Sequence, residues 1–165
     1  MNGDGPRLLL PLSEWPPTDR AAWDALFVPG DILDGQGPCV GWAQGSRFKR
    51  EQSYARWLGF LVGAGLMMKE HRPADRVTKE NVVAYVELEQ QRCKLVTVHI
   101  RLDDLLSVVR VMEPARDWQW LYLIVARVRA GADIGYLKPH PGIEADRIYA
   151  WAQTNLAAID GEPGA

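Results

Sequence analysis

The sequence predicts an all-α protein, and three observations carry that prediction. Across residues 46–130, apolar side chains recur at the i, i+3, i+4, i+7 spacing of helices. No stretch alternates apolar and polar residues with period two over several positions, so no strand is expected. The helix breakers are segregated: 13 of the 26 Gly and Pro residues fall in 1–45, eight in 131–165 and only five in the centre.

Each element follows from its own pattern. Ser46 is the expected N-cap of a first central helix, with Tyr54, Trp57, Leu58, Leu61 and Val62 on one face. Gly63-Ala64-Gly65 is its expected stop. Thr78 caps a second helix, with Val82, Tyr85, Val86 and Leu88 inward. A third runs from about Lys94 to Met112, with Val98, Leu102, Leu105, Leu106 and Val109 on one stripe, and Glu113-Pro114 closes it. Asp117 caps a fourth, which presents Trp118, Leu121, Val125 and Val128 and ends before Gly131. Outside this centre, Thr18 is expected to cap a short helix from Asp19 to Phe27. Residues 144–160 place Ile148, Trp151, Ala152, Asn155, Leu156 and Ile159 at helical spacing. The expected organisation is a leader with one short helix (1–45), a helical domain (46–130), a linker containing Lys138-Pro139-His140-Pro141 (131–143) and a C-terminal helix (144–160).

Composition bounds the rest. At 165 residues with 47% apolar and 24% charged side chains, the chain buries a core and is not largely disordered. No apolar run approaches the roughly 20 residues of a membrane span. The segment before Pro11 lacks the strength of a signal peptide. Cys39 and Cys93 lie far apart, with no CxxC or Cys/His spacing. A cytoplasmic protein without membrane contact is expected. The net charge of −2 argues against a nucleic-acid partner only while the chain is taken whole. By segment it is −4 for 1–45, +5 for 46–130 and −3 for 131–165, which leaves a basic helical centre between acidic arms.

The signatures of catalysis are missing. The chain has no GxGxxG, no GxxxxGK[ST], no HExxH and no GxSxG, and His71, His99 and His140 share no helical face. Asp103-Asp104 are adjacent, point different ways on a helix and read as a solvated edge rather than an acid/base pair. Cys39 and Cys93 read as inert thiols. No cofactor, metal or small-molecule substrate is implied.

Positive charge instead gathers at helix starts. Arg47, Lys49 and Arg50 occupy the beginning of the first central helix, and Arg92, Lys94, Thr97, His99 and Arg101 surround the start of the third. The N-terminal end of a helix dipole favours acids, so basic residues there do not serve helix stability. Together with the free backbone N–H groups of a helix start, they suit phosphate; the competing reading is a plain solvated polar face. Trp57, Trp118 and Trp120 sit in helical register and read as packing residues, not platforms for bases.

These residues also carry a family resemblance. Ser46–Leu61 (SRFKREQSYARWLGFL), Arg76–Val86 (RVTKENVVAYV) and Leu95–Met112 (LVTVHIRLDDLLSVVRVM), followed by Pro114–Leu121 (PARDWQWL), resemble the core-binding domain of tyrosine recombinases, the phage-type integrases. Leu10-Pro-Leu-Ser-Glu-Trp-Pro and Pro29-Gly-Asp are similar to the leader of one bacterial branch, so the resemblance spans roughly residues 8–130. It implies a SAM-like bundle of four or five helices on one face of double-stranded DNA. By position, the DNA-facing residues it implies are Arg47, Lys49, Arg50, Lys94, Thr97, His99 and Arg101, with Arg110 and Arg116 behind them.

Working members add a catalytic domain with an Arg, a Lys, a His-x-x-Arg box and a nucleophilic Tyr. No His-x-x-Arg occurs here, and Tyr54, Tyr85, Tyr122, Tyr136 and Tyr149 read as packing or surface residues. The expectation is therefore a truncated recombinase that binds DNA, nucleoid-associated when bound, without cutting it. Two alternatives stand beside it. One is a protein-interaction module that binds a full-length recombinase; the other is an enzyme completed by a second chain.

Overall fold

The computed structural model describes residues 8–68 and 70–137, and within them the all-α expectation holds. A 3₁₀ turn at Leu12–Glu14 precedes α1 (Pro17–Ala25), α2 (Gln44–Gly63), α3 (Pro73–Arg76), α4 (Lys79–Gln90), α5 (Leu95–Met112) and α6 (Gln119–Leu137), and no strand occurs among the described residues. The helix expected at 144–160 and the second half of the expected linker lie outside them. The chain divides into two compact units, Met1–Thr78 with Asp104–Arg116, and Lys79–Asp103 with Asp117–Ala165.

In the first unit, the expected leader contributes to the core. Leu10, Trp15, Trp23, Leu26 and Cys39 are buried. The Leu10 N–H donates to Ala55 O of α2 at 3.0 Å, and Trp15 Nε1 donates back to Leu10 O at 2.9 Å. Trp15 packs on Tyr54 at 5.1 Å and on Trp23 at 5.8 Å, so large rings join the leader to α2. Helix α1 starts earlier than expected: Pro16 is its N-cap and Pro17 opens it, because a proline at N1 has no N–H to satisfy. The Thr18 hydroxyl donates instead to His71 O at 3.2 Å.

Helix α2 likewise starts two residues before Ser46. Its first turn closes when the Arg47 N–H donates to Ala43 O at 2.9 Å, with no side-chain cap. Tyr54, Trp57, Leu58 and Leu61 are fully buried, whereas Val62 is half exposed and leaves the expected stripe. The expected stop is a Schellman motif. Leu66 N–H donates to Leu61 O at 2.8 Å, Gly65 N–H donates to Val62 O at 3.2 Å, and Gly65 takes the left-handed φ of 70° that favours glycine.

A buried polar knot that the sequence pattern did not show ties α1, α2 and α3 together. Asp19 accepts hydrogen bonds from Tyr54 Oη at 2.6 Å and from the Arg76 guanidinium, and all three side chains are buried. Arg76 also donates to Met68 O at 3.1 Å and His71 O at 2.7 Å, so its donors are used inside the unit.

In the second unit, α4 begins directly after Thr78. Val82, Val83, Tyr85 and Val86 are buried, but Leu88 is only half-buried and Glu89 takes the inward place. The α5 stripe is buried as expected, its first members Val98 and Leu102 belonging to this unit. Asp117 Oδ1 accepts the Gln119 N–H at 2.9 Å ahead of α6, and Trp118, Leu121, Val125 and Val128 are buried. The helix does not stop at Gly131 and continues to Leu137, so residues 131–137 of the expected linker are helical. Ala132, one turn beyond Val128, is buried on the same stripe. That packing outweighs the roughly 1 kcal/mol cost of a mid-helix glycine.

Candidate nucleic-acid interface

Both basic helix starts lack an acidic residue in the first turn. At the start of α2, Arg47 is exposed and Arg50 half-buried, and each guanidinium lies on an aromatic face supplied by the leader. Arg47 Cζ is 3.8 Å from the Phe27 ring centroid, and Arg50 Cζ is 4.1 Å from that of Trp42. The two rings meet edge to face at 5.9 Å, and Phe27 continues inward to Trp23 at 4.9 Å. The arginines therefore cap a line of rings that runs out from the core. Such a contact uses the flat face of the guanidinium and leaves its in-plane N–H donors for another partner. Among the described residues, no carboxylate pairs with Arg47 or Arg50.

Lys49 differs. Its Nζ lies 3.4 Å from Asp104 Oδ1, and that carboxylate is only 4% exposed. Ser53 Oγ donates to Asp104 Oδ2 at 2.7 Å. The expected solvated edge at Asp103-Asp104 is corrected here: Asp103 is exposed, but Asp104 is buried and sits under Lys49 and Ser53. A buried carboxylate needs hydrogen bonds and a counter-charge, and α2 provides both. Part of the Lys49 charge is thereby cancelled.

At the start of α5, Lys94 is exposed while Thr97 and His99 are half-buried. Arg101 is committed within its unit: it pairs with the buried Glu89 of α4 and donates toward Cys93 Sγ at 3.4 Å. Placing it among the DNA-facing residues is therefore at odds with its surroundings, because a desolvated carboxylate holds it. Cys93 Sγ in turn lies 3.1 Å from Glu89 O.

Of the two residues placed behind these, Arg116 is bonded to Asp75 at 2.7 Å and lies 3.5 Å from Glu113. It holds the Asp75 carboxyl below its ordinary range, chiefly through that hydrogen bond. Arg110 stands exposed in the last turn of α5, where a cation complements the helix dipole. Burial pushes the Cys39 thiol up, against an opposing pull from Arg50, in keeping with an inert cysteine.

The predicted residues thus fall into two sets. Arg47, Lys49 and Arg50 belong to the first unit, and Lys94, Thr97, His99 and Arg101 to the second. Sequence spacing had no means of pairing Phe27 with Arg47 or Trp42 with Arg50: Phe27 closes the expected helix from Asp19 and Trp42 lies in a loop, and the period of one element does not relate it to another. No group of residues suited to a metal ion, and no helix long and apolar enough to cross a membrane, occurs among the described residues. Comparison with protein-family models, curated proteins and solved structures finds no match.

Proposed function

We propose that this chain binds duplex DNA through the start of α2, as a SAM-like module of the tyrosine-recombinase type that serves DNA integration or recombination. The observation that carries the reading is the pair Arg47 and Arg50, held on Phe27 and Trp42 without a carboxylate partner among the described residues. A stacked guanidinium is already ordered, so less side-chain entropy is lost when it meets a phosphate. Lys49 adds a partly neutralised charge, and Lys94 is the most exposed member of the second set. The motif resemblance supports the same surface. No His-x-x-Arg box occurs in these 165 residues, and the proposal is limited to binding.

The test is a salt titration of affinity for a duplex of about 25 base pairs by fluorescence anisotropy, long enough for several phosphate contacts. Each contact contributes about −0.9 to the slope of log K against log salt. Arg47→Glu with Arg50→Glu should lower the magnitude of that slope by about 2. An unchanged slope would remove α2 from the interface. A module that binds only a full-length recombinase would show no salt-dependent DNA affinity at all.

A further inference from the structure

The segment between Phe27 and Cys39 is a tightly specified hairpin. Gly37 N–H donates to Val28 O at 2.9 Å, Cys39 N–H to Leu26 O at 2.9 Å and Asp31 N–H to Asp34 O at 3.0 Å. At its tip, Asp31 Oδ1 accepts the N–H groups of Leu33 and Asp34, both at 2.7 Å. Two glycines permit the close backbone approach. A Cβ on Gly30 would lie 2.4 Å from Gln36 N, and one on Gly37 would lie 2.4 Å from Leu26 O.

What this loop displays is apolar. Ile32 is fully exposed and Leu33 is 91% exposed, so neither supports the fold. Burying such a side chain against an apolar partner is worth about 1.5–3 kcal/mol, so a contact that covered both would be favourable. Asp31 and Asp34 flank the pair, and the two backbone donors hold the Asp31 carboxyl below its ordinary range. Two carboxylates at the tip oppose a phosphate backbone and favour a basic-rimmed apolar surface. This chain presents one: Phe48, 61% exposed, lies in the α2 turn that carries Arg47, Lys49 and Arg50.

We infer that the tip docks on the α2 start of a second copy of this chain, with Ile32 and Leu33 against Phe48, and Asp31 and Asp34 facing the basic residues. Tip and patch are neighbours within one unit. The hairpin leaves the body at Phe27, beneath Arg47, and the chain then returns through Trp42, beneath Arg50. Adjacent complementary patches are what a two-fold axis requires, because each copy then gives its tip and receives its partner's. The apolar contact is smaller than a standard interface of about 1,600 Å², so the dimer is weak and dissociates on dilution.

Sedimentation velocity of the full chain without DNA, from about 10 µM to 1 mM, tests this independently of any DNA affinity. The expected result is a mass that doubles across that range. Ile32→Ser with Leu33→Ser, and separately Phe48→Ser, should each weaken association by at least about tenfold, with unchanged circular dichroism and melting temperature. Asp34→Lys should weaken it similarly. A wild-type chain that stays monomeric overturns the proposal. So does a tip variant that associates like the wild type, or a Phe48→Ser variant that does so while the tip variant does not. Loss of DNA affinity in the tip variant, with the wild type monomeric, would assign the tip to nucleic acid instead.

Discussion

The starts of α2 and α5 are alike in sequence, both basic and both without an acid in the first turn, yet their arginines do opposite work. Arg47 and Arg50 lie over aromatic rings and have no carboxylate partner among the described residues. Arg101 neutralises Glu89, a carboxylate only 1% exposed. What separates them is where a carboxylate has been desolvated. A buried acid captures the nearest cation, because leaving it unpaired costs far more than an exposed pair gains. A run of basic residues therefore measures charge supply and not the field that a partner meets.

The largest effect should come from breaking the committed arginine. Arg101→Met strands Glu89 and should lower stability by about 3–5 kcal/mol in urea unfolding. Replacing both partners, as in Glu89→Leu with Arg101→Leu, should restore most of that loss, since an apolar pair of similar volume avoids desolvation altogether. A loss below about 1 kcal/mol for Arg101→Met would erase the contrast with α2.

Next comes the frame that holds the α2 cations. Gly37→Ala places a Cβ 2.4 Å from Leu26 O, a backbone atom that cannot swing away. It should cost about 1–3 kcal/mol, read by thermal unfolding. Because Leu26 precedes Phe27, the same variant should displace the ring under Arg47 and weaken DNA affinity. Full stability with unchanged affinity would show that the hairpin base and the arginine stack are independent.

The fold was legible where periodicity was strong and misread where tertiary packing overruled a local rule. The α5 stripe and the Gly65 stop follow directly from spacing and glycine chemistry. Gly131 is a helix breaker by type, but Ala132 continues a buried stripe across it. Ser46 and Thr18 were good caps by type, but the chain enters its helices through Ala43 and Pro16. The site was legible as a set of charges and not as an arrangement. Helical spacing places Glu89 one turn after Tyr85 and Val86 and Asp104 beside Leu105, but charge type alone reads both as solvated, and their burial decides which cations are committed. The ring pair under Arg47 and Arg50 was hidden for another reason: Phe27 stands in the turn that closes α1 and Trp42 stands in a loop, and no period relates either to the start of α2.

The contrast recurs within the first unit, where the committed cation is Arg76 beneath Asp19 and Tyr54. Burial foremost, with the adjacent Asp19 charge, raises the Tyr54 hydroxyl well above its ordinary range. The unfolded chain releases that proton near pH 10, while the folded chain keeps it. The folded state thus holds more protons above that pH, and stability falls as pH rises, by up to about 1.4 kcal/mol per pH unit from this group. Urea unfolding between pH 8 and about 11 should show this limb, and Tyr54→Phe should flatten it. An equally steep limb in Tyr54→Phe would place its cause elsewhere.

The smallest stability effect belongs to the arginines that matter most for the proposed partner. Arg47→Met and Arg50→Met remove cation–π contacts at a surface, each worth about 0.5–1 kcal/mol, and strand no carboxylate among the described residues. Methionine keeps much of the packing on Phe27 and Trp42, so the measured loss should fall below about 1 kcal/mol for each. Each variant should nevertheless remove about one unit from the salt slope of DNA affinity. Arg101→Met, measured where it remains folded, should leave that slope unchanged. Near-neutral stability with a lost slope at α2, set against lost stability with an intact slope at α5, separates a cation held for a partner from one held for the fold. If Arg47→Met and Arg101→Met change the slope equally, stacking on a ring and pairing with a buried acid do not divide the two helix starts.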